Sequence, residues 1–291
     1  MKILVTGIHG QVGFELLRSL DPLGEVIPAD RAVMDLSQPD SIRAYIRACA
    51  PDLIVNPAAY TAVDRAEQEV DACMAINGIA PGIIGEEAKR LGAAVIHYST
   101  DYVFDGSKAS PYTEVDPTGP INVYGRSKLA GEQALAASGA EHVVLRTSWV
   151  YGMRGANFLL TMLRLSQDRP QLRIVADQIG APTSCGFIAD RTAALVARHI
   201  MRSKNNSTLR CEGGPLHLTA SGYTSWADFA RKIFELAGRA TEVEDIPASA
   251  YPTAAARPAN SRLDTSRLEG LLGAPMTPWE DCLKQCLRGQ A

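Results

Sequence analysis

The sequence lacks several features that would indicate other classes of protein. No apolar run approaches the roughly 20 residues that a membrane-spanning helix needs. The formal net charge is only −3, so no basic face or tail indicates binding to nucleic acid or to a membrane surface. The apolar stretch at the start of the chain is too short for a secretory signal peptide, so we expect a cytoplasmic protein.

Cysteine pairs of the metal-binding or redox type are also missing. The six cysteines are scattered and form no C-x-x-C pair, so neither a zinc site nor a disulfide framework is indicated and reduced thiols are expected. Hydrophobic residues make up 46% of the chain and charged residues 21%, which is typical of a globular protein. With 291 residues, the chain can bury a large core as one large domain or two small ones.

The first half of the sequence alternates short apolar runs with segments of helical apolar spacing. The predicted strands are Lys2–Thr6, Glu25–Ala29, Leu53–Asn56, Ala94–Ser99 and His142–Arg146, and the predicted helices are Val12–Leu20, Pro39–Ala50, Ala72–Leu91 and Gly125–Ser138. This alternation predicts βαβ units and a parallel sheet with right-handed crossovers. We therefore predict an α/β protein. A Rossmann-type doubly wound parallel sheet occupies residues 1–150, and a smaller C-terminal substrate-binding part occupies residues 151–291, from which some segments can return to the first domain.

The first strand runs directly into a glycine-rich turn, Thr6-Gly7-Ile8-His9-Gly10-Gln11-Val12-Gly13. In a dinucleotide site the first glycine permits a tight turn, the second lets the backbone approach the pyrophosphate, and the third allows close packing of helix on sheet. The N-terminus of the following helix presents free N–H groups to the phosphates. Gly7, Gly10 and Gly13 therefore predict a dinucleotide site, the alternative being an ordinary glycine-rich βα turn.

The end of the second predicted strand bears on the choice of cofactor. Asp30 lies where an acidic residue bonds the adenosine ribose of NADH. Arg31 follows it, and an arginine there can pair with the additional phosphate of NADPH. The preference between NADH and NADPH therefore stays open, as does the alternative that Asp30 is a solvated carboxylate. Asp35 and Leu36 are candidates for the adenine side of the site.

Tyr124 and Lys128 are spaced four residues apart, so both lie on one face of a predicted helix. A free tyrosine has a pKa near 10 and is a poor acid–base group at neutral pH. We expect the ammonium of Lys128, together with an oxidised nicotinamide ring, to lower the pKa of Tyr124 toward the range that general acid–base catalysis needs. Lys128 can also bond the nicotinamide ribose. The alternative is an exposed helix face, since this spacing is frequent by chance.

The fourth predicted strand ends in Ser99-Thr100-Asp101. Ligands of a parallel sheet gather at the carboxyl ends of its strands. Thr100 can therefore hydrogen-bond the carbonyl or hydroxyl of a substrate beside Tyr124. The alternative is a local turn bond made by Thr100 and Asp101.

In this order, the glycine turn, Thr100, Tyr124 and Lys128 resemble the extended short-chain dehydrogenase/reductase family. The resemblance runs over nearly the whole chain and narrows to the family of dTDP-4-dehydrorhamnose reductases. Segments similar to that family are Gly10–Leu16, Tyr98–Phe104, Asn122–Gly125, Arg146–Tyr151, Asp177–Thr183 and Arg257–Ser261. The resemblance implies NAD(P)H-dependent reduction of the C4 keto group of dTDP-4-dehydro-L-rhamnose to dTDP-L-rhamnose, a precursor of cell-surface polysaccharide.

The resemblance also implies roles for individual residues. Tyr124 would donate the proton with Lys128 as its partner, and Thr100, Asp101 and Trp149 would contact the sugar. Independently of the resemblance, the bidentate fork of Arg257 suits the nucleotide diphosphate, with a surface salt bridge as the alternative. The cofactor site would be formed by Gly10, Gln11 and Val12 at the pyrophosphate and by Asp30, Asp35, Leu36, Ala59, Tyr60, Thr61 and Tyr98 around the rest.

Related enzymes remain as alternatives. Sugar-nucleotide dehydratases that share this fold look similar at the end of this strand, where they have the sequence Thr-Asp-Glu. In this chain Tyr102 takes the position of the glutamate. Without that glutamate the base for elimination is missing, which favours simple hydride transfer. The remaining hypotheses are another nucleotide-sugar ketoreductase, an epimerase and a non-catalytic NADP-binding regulatory subunit.

The resemblance also implies a possible dimer, because some members of the family dimerise through a magnesium ion that acidic residues bind. Glu15 matches one of these positions. Gly186 stands near the place where another acidic ligand is expected, which argues against Mg²⁺ and leaves Glu15 as a solvated helix residue. A homodimer is left open.

Overall fold

The computed structural model describes residues 1–200 and 214–288. The strands are Lys2–Thr6 (β1), Glu25–Ala29 (β2), Leu53–Asn56 (β3), Ala94–Thr100 (β4), Glu141–Thr147 (β5), Val150–Tyr151 (β6), Gln171–Val175 (β7), Ile179–Gly180 (β8), Thr183–Ser184 (β9), Leu216–His217 (β10), Thr224–Ser225 (β11) and Glu242–Ile246 (β12). The α-helices are Gln11–Leu20 (α1), Pro39–Cys49 (α2), Val63–Ala66 (α3), Val70–Met74 (α4), Ala80–Leu91 (α5), Val123–Ala137 (α6), Phe158–Leu165 (α7), Cys185–Leu195 (α8), Trp226–Leu236 (α9), Ser266–Leu272 (α10) and Trp279–Arg288 (α11).

Six of these strands form one parallel sheet in the order β10-β5-β4-β3-β1-β2. The central strands β3 and β4 are buried along their whole length, as expected for a parallel sheet with helices on both faces. The predicted α/β fold with a doubly wound parallel sheet is therefore confirmed.

The core lies in two layers, one on each face of this sheet. Ile3 and Val5 of β1 belong to the layer that contains α1 and α8, whereas Leu4 belongs to the layer that contains α2 and α5. This division follows from the strand, whose successive side chains point to opposite faces. Both faces are thus closed to solvent, and the carboxyl ends of the strands are left as the place for a ligand.

The order of the strands reverses at β1. The chain moves from β1 to β2 on one side and then returns to β3 on the other. In open α/β sheets ligands bind at such a switch point, outside the carboxyl ends of the strands. The glycine turn after β1 and the segment after β3 border this position.

The second half of the chain forms smaller sheets and helices. β7 pairs with β12 in parallel, β8 pairs with β11 antiparallel, and β6 pairs with β9 in parallel. β10 instead joins the edge of the large sheet beside β5. The proposed division at residue 150 stays a prediction.

One predicted helix differs in form from the structure. Ala72–Leu91 was expected as a single α-helix, but Ala75–Ile79 is wound as a π-helix between α4 and α5. Asn77 lies in this segment, and its amide exchanges two hydrogen bonds with the backbone of Tyr60, at 2.8 and 3.0 Å. The wider π-helical turn thus coincides with a buried polar contact between Asn77 and Tyr60. The spacing of apolar residues in the sequence does not reveal such a contact. Among the described residues, no helix has the length and apolar character to span a bilayer.

Candidate active site

A cleft of about 640 Å³ opens at the switch point of the sheet. Its walls come from the glycine turn, the segment after β3, the end of β4, the start of α6 and the segment after β5. The predicted site residues that line it are Gly7, Gly10, Gln11, Val12, Gly13, Ala59, Thr61, Tyr98, Thr100, Asp101, Tyr124, Lys128 and Trp149. The structure thus brings most of the predicted cofactor and sugar residues to one place.

The glycine turn approaches its neighbours too closely for other residues. Gly7 has a φ of +58°, and a Cβ atom built on Gly13 would lie 2.2 Å from the carbonyl oxygen of Gly7. The N–H of Gly10 donates to that same carbonyl at 2.9 Å. No side chain caps the N-terminus of α1, so its first N–H groups are available to an anion. This cradle fits the pyrophosphate of a dinucleotide.

The residues after β2 form a small acidic turn at the end of that strand. Asp30 accepts hydrogen bonds from the N–H groups of Ala32 and Val33, at 2.9 and 3.2 Å, and lies 3.3 Å from His9 Nε2. These contacts, the one from Val33 above all, lower the pKa of Asp30. Arg31 extends into solvent and pairs with Asp35 at 3.3 Å. The arrangement leaves an acidic and a basic group near the predicted ribose position.

Leu36 and Tyr60 have local packing roles that their sequence positions do not reveal. Leu36 is buried in the core layer beneath α2. The Tyr60 hydroxyl donates to Glu69 at 2.6 Å, and its N–H donates to Asn77. Their assignment to the cofactor site stays a prediction.

Tyr124 is positioned by the first turn of α6. Asn122 caps this helix by accepting the N–H of Gly125 at 2.7 Å. A Cβ atom on Gly125 would lie 2.2 Å from the carbonyl oxygen of Tyr102, so a glycine lets α6 approach the turn after β4. Thr100 therefore comes within hydrogen-bonding reach of Tyr124, and the rings of Tyr102 and Tyr124 meet edge to face at 5.7 Å.

The electrostatics of Tyr124 differ from the expectation drawn from sequence. Burial raises the pKa of Tyr124, the charge of Asp101 raises it further, and the bond with Thr100 only partly opposes these effects. The expected lowering of the pKa by Lys128 is therefore not what governs Tyr124 in the free protein. Helical spacing identifies a neighbour, but the loss of solvent around a buried phenol is the larger effect. Tyr124 is thus fully protonated at neutral pH.

Asp101 is a buried carboxylate beside the same tyrosine. Its Oδ1 accepts from Thr100 at 3.0 Å, whereas its Oδ2 has no hydrogen-bond partner within residues 1–200 and 214–288. Burial raises the pKa of Asp101 to about 6, although the neighbouring hydroxyls of Ser261 and Thr100 act in the opposite direction. An unpartnered oxygen on the cleft wall is available to a substrate hydroxyl.

Lys128 lies one helical turn after Tyr124 and reaches under the cleft. Its Nζ donates to the carbonyl oxygen of Tyr98 at 2.5 Å and lies 3.3 Å from Nε2 of His97. Burial lowers the pKa of Lys128 to about 8, while Glu132 favours the charged form. The side chain of Tyr98 itself turns away, and its hydroxyl lies 2.6 Å from Thr192 Oγ1 on α8. Tyr98 therefore contributes its backbone to the position of Lys128.

Trp149 has a strained backbone and a stacked ring. Its φ of +48° is rare for a residue with a side chain, and such outliers concentrate at functional sites. The Trp149 ring stacks on that of Trp226 with centroids 3.5 Å apart and planes 8° apart. Trp226 was not predicted as a site residue from the sequence.

A second cavity of about 850 Å³ lies between α7, the β7–β12 pair and the loop 248–257. Trp226 lines both cavities, so they share a wall. Arg257 lines the second cavity, and its guanidinium pairs with both carboxylate oxygens of Asp64 at 2.7 and 3.1 Å. The surface salt bridge considered for Arg257 is thus present, on the rim of a cavity. Its predicted contact with a diphosphate stays a prediction.

Glu15 faces the position where a second acidic ligand was expected. A Cβ atom on Gly186 would lie 3.8 Å from Glu15 Oε2, and Glu15 itself pairs with Arg18 at 3.7 Å. Within the described part of the chain, no three His, Cys, Asp or Glu side chains are grouped so as to hold a metal ion.

Comparison with known proteins agrees with the resemblance seen in the sequence. The family model described as RmlD substrate binding domain matches residues 1–291. The chain is 46% identical to a dTDP-4-dehydrorhamnose reductase of Burkholderia thailandensis, covering 99% of this chain and 98% of that protein. It is 43% identical to the enzyme of the same name from Escherichia coli K12, over 99% and 97% of the two chains.

Solved structures agree as well. A dTDP-4-dehydrorhamnose reductase from Clostridium acetobutylicum superimposes with a TM-score of 0.91 at 36% identity, covering 100% of this chain and 99% of that one. The enzyme of the same name from Bacillus anthracis, solved in complex with NADP, gives a TM-score of 0.88 at 33% identity over 99% of both chains. The chain belongs to the RmlD substrate binding domain family, and the predicted family resemblance is confirmed.

Proposed function

We propose that this chain reduces the C4 keto group of dTDP-4-dehydro-L-rhamnose to give dTDP-L-rhamnose, using NADPH or NADH. The observation that carries the proposal is the convergence of Thr100, Tyr124 and Lys128 on one cleft beside the glycine turn. Two relatives that are 43% and 46% identical to this chain are named for this activity, and the similarity covers almost the whole of both proteins.

The glycine turn and the start of α1 would hold the cofactor pyrophosphate. Gly10, Gln11 and Val12 present backbone to the cleft there, and Ala59 and Thr61 line the opposite wall. Bound NADPH or NADH supplies the hydride that the reduction requires. The acidic and basic groups at Asp30 and Arg31 support either form of the cofactor, in keeping with the NADP bound to the relative from Bacillus anthracis.

The protein's own residues would supply the proton and stabilise charge. Tyr124 retains its proton in the buried site and donates it from the phenol oxygen to the sugar oxygen, where negative charge develops. The Thr100 hydroxyl, which donates to Asp101 in the free protein, would turn to donate its one proton to the same sugar oxygen, and the ammonium of Lys128 would offset the charge left on Tyr124. Asp101 accepts from a sugar hydroxyl through its unpartnered Oδ2.

The second cavity is the place we assign to the nucleotide part of the substrate. It adjoins the reaction cleft, because Trp226 lines both cavities and stacks on Trp149 of the cleft. Arg257 on its rim already binds Asp64 through Nη1 and Nη2. A diphosphate would therefore meet the other edge of the guanidinium, formed by Nε and Nη2, which also presents two parallel donors.

A related epimerase is the second candidate, supported by the shared fold alone. A UDP-glucose 4-epimerase from Thermus thermophilus superimposes with a TM-score of 0.81 at 19% identity. An epimerase would retain its cofactor and show no net oxidation. A regulatory NADP-binding protein would bind the cofactor without turnover, but such a role gives no reason for Thr100, Tyr124 and Lys128 to converge.

The test is consumption of NADPH and NADH with dTDP-4-dehydro-L-rhamnose, run beside its epimers and the UDP-linked equivalents. We expect net oxidation of the reduced cofactor with the dTDP-linked sugar. Tyr124→Phe should lose about 10²-fold or more of turnover and keep its cofactor affinity, while Tyr112→Phe, outside the cleft, should stay active. Cofactor binding with no turnover of any keto-sugar would contradict the proposal.

We also propose a cytoplasmic setting. The described cysteines, at 49, 73, 185, 282 and 286, are free thiols, which suit a reducing compartment. A homodimer remains a proposal that sedimentation can test, with and without Mg²⁺.

A further inference from the structure

A line of buried hydrogen bonds runs across three strands and ends at Lys128. Thr6 Oγ1 on β1 lies 2.6 Å from Asn56 Oδ1 on β3, and Asn56 Nδ2 lies 3.1 Å from His97 Nδ1 on β4. His97 Nε2 then lies 3.3 Å from Lys128 Nζ. All four side chains are at most 2% exposed. The catalytic steps above use only the last of them.

The distances fix the direction of these bonds. A separation of 2.6 Å is typical of an O–H···O bond and shorter than an ordinary N–H···O bond, so the amide oxygen of Asn56 faces Thr6. The N–H of Ala58 already donates to Thr6 Oγ1 at 3.4 Å, which leaves the hydroxyl proton for Asn56. The reverse orientation of the amide would direct two donors at Thr6 and leave its proton without an acceptor.

The amide nitrogen of Asn56 therefore donates to Nδ1 of His97. Burial lowers the pKa of His97 well below its usual value, and the charge of Lys128 adds to this effect, so the ring is neutral. A neutral imidazole has one ring proton, and with Nδ1 accepting, that proton is on Nε2. It points at Nζ of Lys128, where a neutral amine has a lone pair to accept it and an ammonium has none.

We propose that His97 is a positioning residue that donates its ring proton to Lys128 and thereby determines the pH range in which the lysine carries its charge. The proposal deepens the function given above and rests on it. The consequence is an amine that loses its charge close to neutral pH, although it lies in a site built to offset negative charge.

Other groups around this pair act in known directions. Glu132, on the same helix as Lys128, favours the ammonium, and it is itself held by a buried bidentate pair with Arg146 at 2.7 and 2.9 Å. Cys73 on α4 also favours the charged lysine. His142 on β5 disfavours charge on His97, whereas the backbone of Asn56 favours it. The proton donated by His97 and the burial of Lys128 therefore lower the pKa of Lys128, whereas Glu132 raises it.

The first test observes the tautomer of His97 directly. The full-length protein labelled with ¹⁵N-histidine gives signals from its five histidines, and His97→Gln identifies the signal of His97. Long-range ¹H–¹⁵N correlations distinguish the two neutral tautomers. We expect the proton on Nε2 at about pH 7.5. A proton on Nδ1, or a charged ring, would overturn the proposal.

The second test follows the charge of Lys128 by the ¹³Cε signal of labelled lysine, assigned with Lys128→Met. Thr6→Val keeps the shape of the side chain and removes the hydroxyl that fixes the amide of Asn56. We expect its Lys128 titration midpoint to rise by about half to one pH unit. Thr219→Val removes another fully buried threonine hydroxyl, one without a partner among the described residues, and should leave the midpoint unchanged. An unchanged or lowered midpoint in Thr6→Val contradicts the proposal.

The kinetic readout connects this chemistry to activity. The alkaline limb of kcat/KM should move upward in Thr6→Val by the same amount as the lysine titration, while Thr219→Val follows the unmodified protein. If the chain reduces no keto-sugar, the two spectroscopic tests still decide the role of His97. If it reduces the sugar and the tautomer is Nδ1–H, the role of His97 fails and the reductase function stands.

Discussion

Replacing Asp101 with Asn should stabilise the protein at neutral pH while it impairs the site. Asp101 is a buried carboxylate whose pKa is raised to about 6 by burial, from an ordinary value of 3.8. The folded state therefore binds a proton more tightly than the unfolded state. Stability is fullest below pH 3.8 and falls as the pH rises to about 6, above which both states are ionised and the cost stays constant.

The magnitude follows from the size of this difference. About two pKa units at roughly 1.4 kcal/mol each correspond to about 3 kcal/mol at neutral pH. Asn removes that cost, but its amide nitrogen takes the place of Oδ2, which has no partner among the described residues, and this loses about 1–2 kcal/mol. Asp101→Asn should therefore gain about 1–2 kcal/mol near pH 7.5 and lose about 1 kcal/mol near pH 4, where the folded protein already holds a neutral side chain and only the cost of the amide is left.

Urea unfolding of the cofactor-free protein, at about pH 4.5 and about pH 7.5, measures this difference through the midpoint at constant slope. From the lower to the higher pH, the free energy of unfolding of the unmodified protein should fall by about 2 kcal/mol more than that of Asp101→Asn. Asp168→Asn, in an exposed turn after α7, should follow the unmodified protein. Equal pH dependence in Asp101→Asn and the unmodified protein would refute the reasoning.

Three other substitutions test separate parts of the site. Gly13→Ala should weaken NADPH binding about tenfold or more, measured by fluorescence titration, because its Cβ would lie 2.2 Å from a backbone carbonyl. Gly270→Ala, whose Cβ would meet no atom of the described residues within 4 Å, should bind NADPH normally, and equal affinity in the two variants would contradict the role of the glycine turn. Thr100→Val should lower kcat by about 10- to 100-fold with NADPH affinity unchanged, and a change confined to the KM of the cofactor would count against its role beside the sugar. Arg257→Lys should raise the KM of the keto-sugar about tenfold with little effect on NADPH affinity. An unaltered KM would show that Arg257 does not bind the diphosphate. Asp64→Asn tests the contribution of the pair between Asp64 and Arg257.

Local patterns in the sequence were sufficient for the parts of the fold that depend on local chemistry. The glycine turn after β1 needs close backbone contacts that only glycine allows, so its spacing is visible in the sequence. The strands of a parallel sheet are buried on both faces and read as continuous apolar runs. The spacing of Tyr124 and Lys128 on a helix is likewise local, and both line the cleft.

The features that escaped prediction depend on residues distant in the sequence. The pair between Asp64 and Arg257 joins positions 193 residues apart, and no local spacing indicates it. The direction of the Tyr124 pKa depends on how much water the folded chain excludes. His97 appeared in sequence as one more residue of a buried strand, and only the structure shows Asn56 and Lys128 on its two ring nitrogens.

The position of β10 has a consequence for how the protein emerges from the ribosome. Leu216 and His217 pair with Leu145 and Arg146 at the edge of the large sheet, so a nascent chain that has released only its first 150 residues presents β5 with an open side. An unpaired strand edge invites pairing with other chains. In the complete chain β10 pairs with two residues of that edge, so a fragment ending at residue 150 should aggregate more readily than the full-length chain.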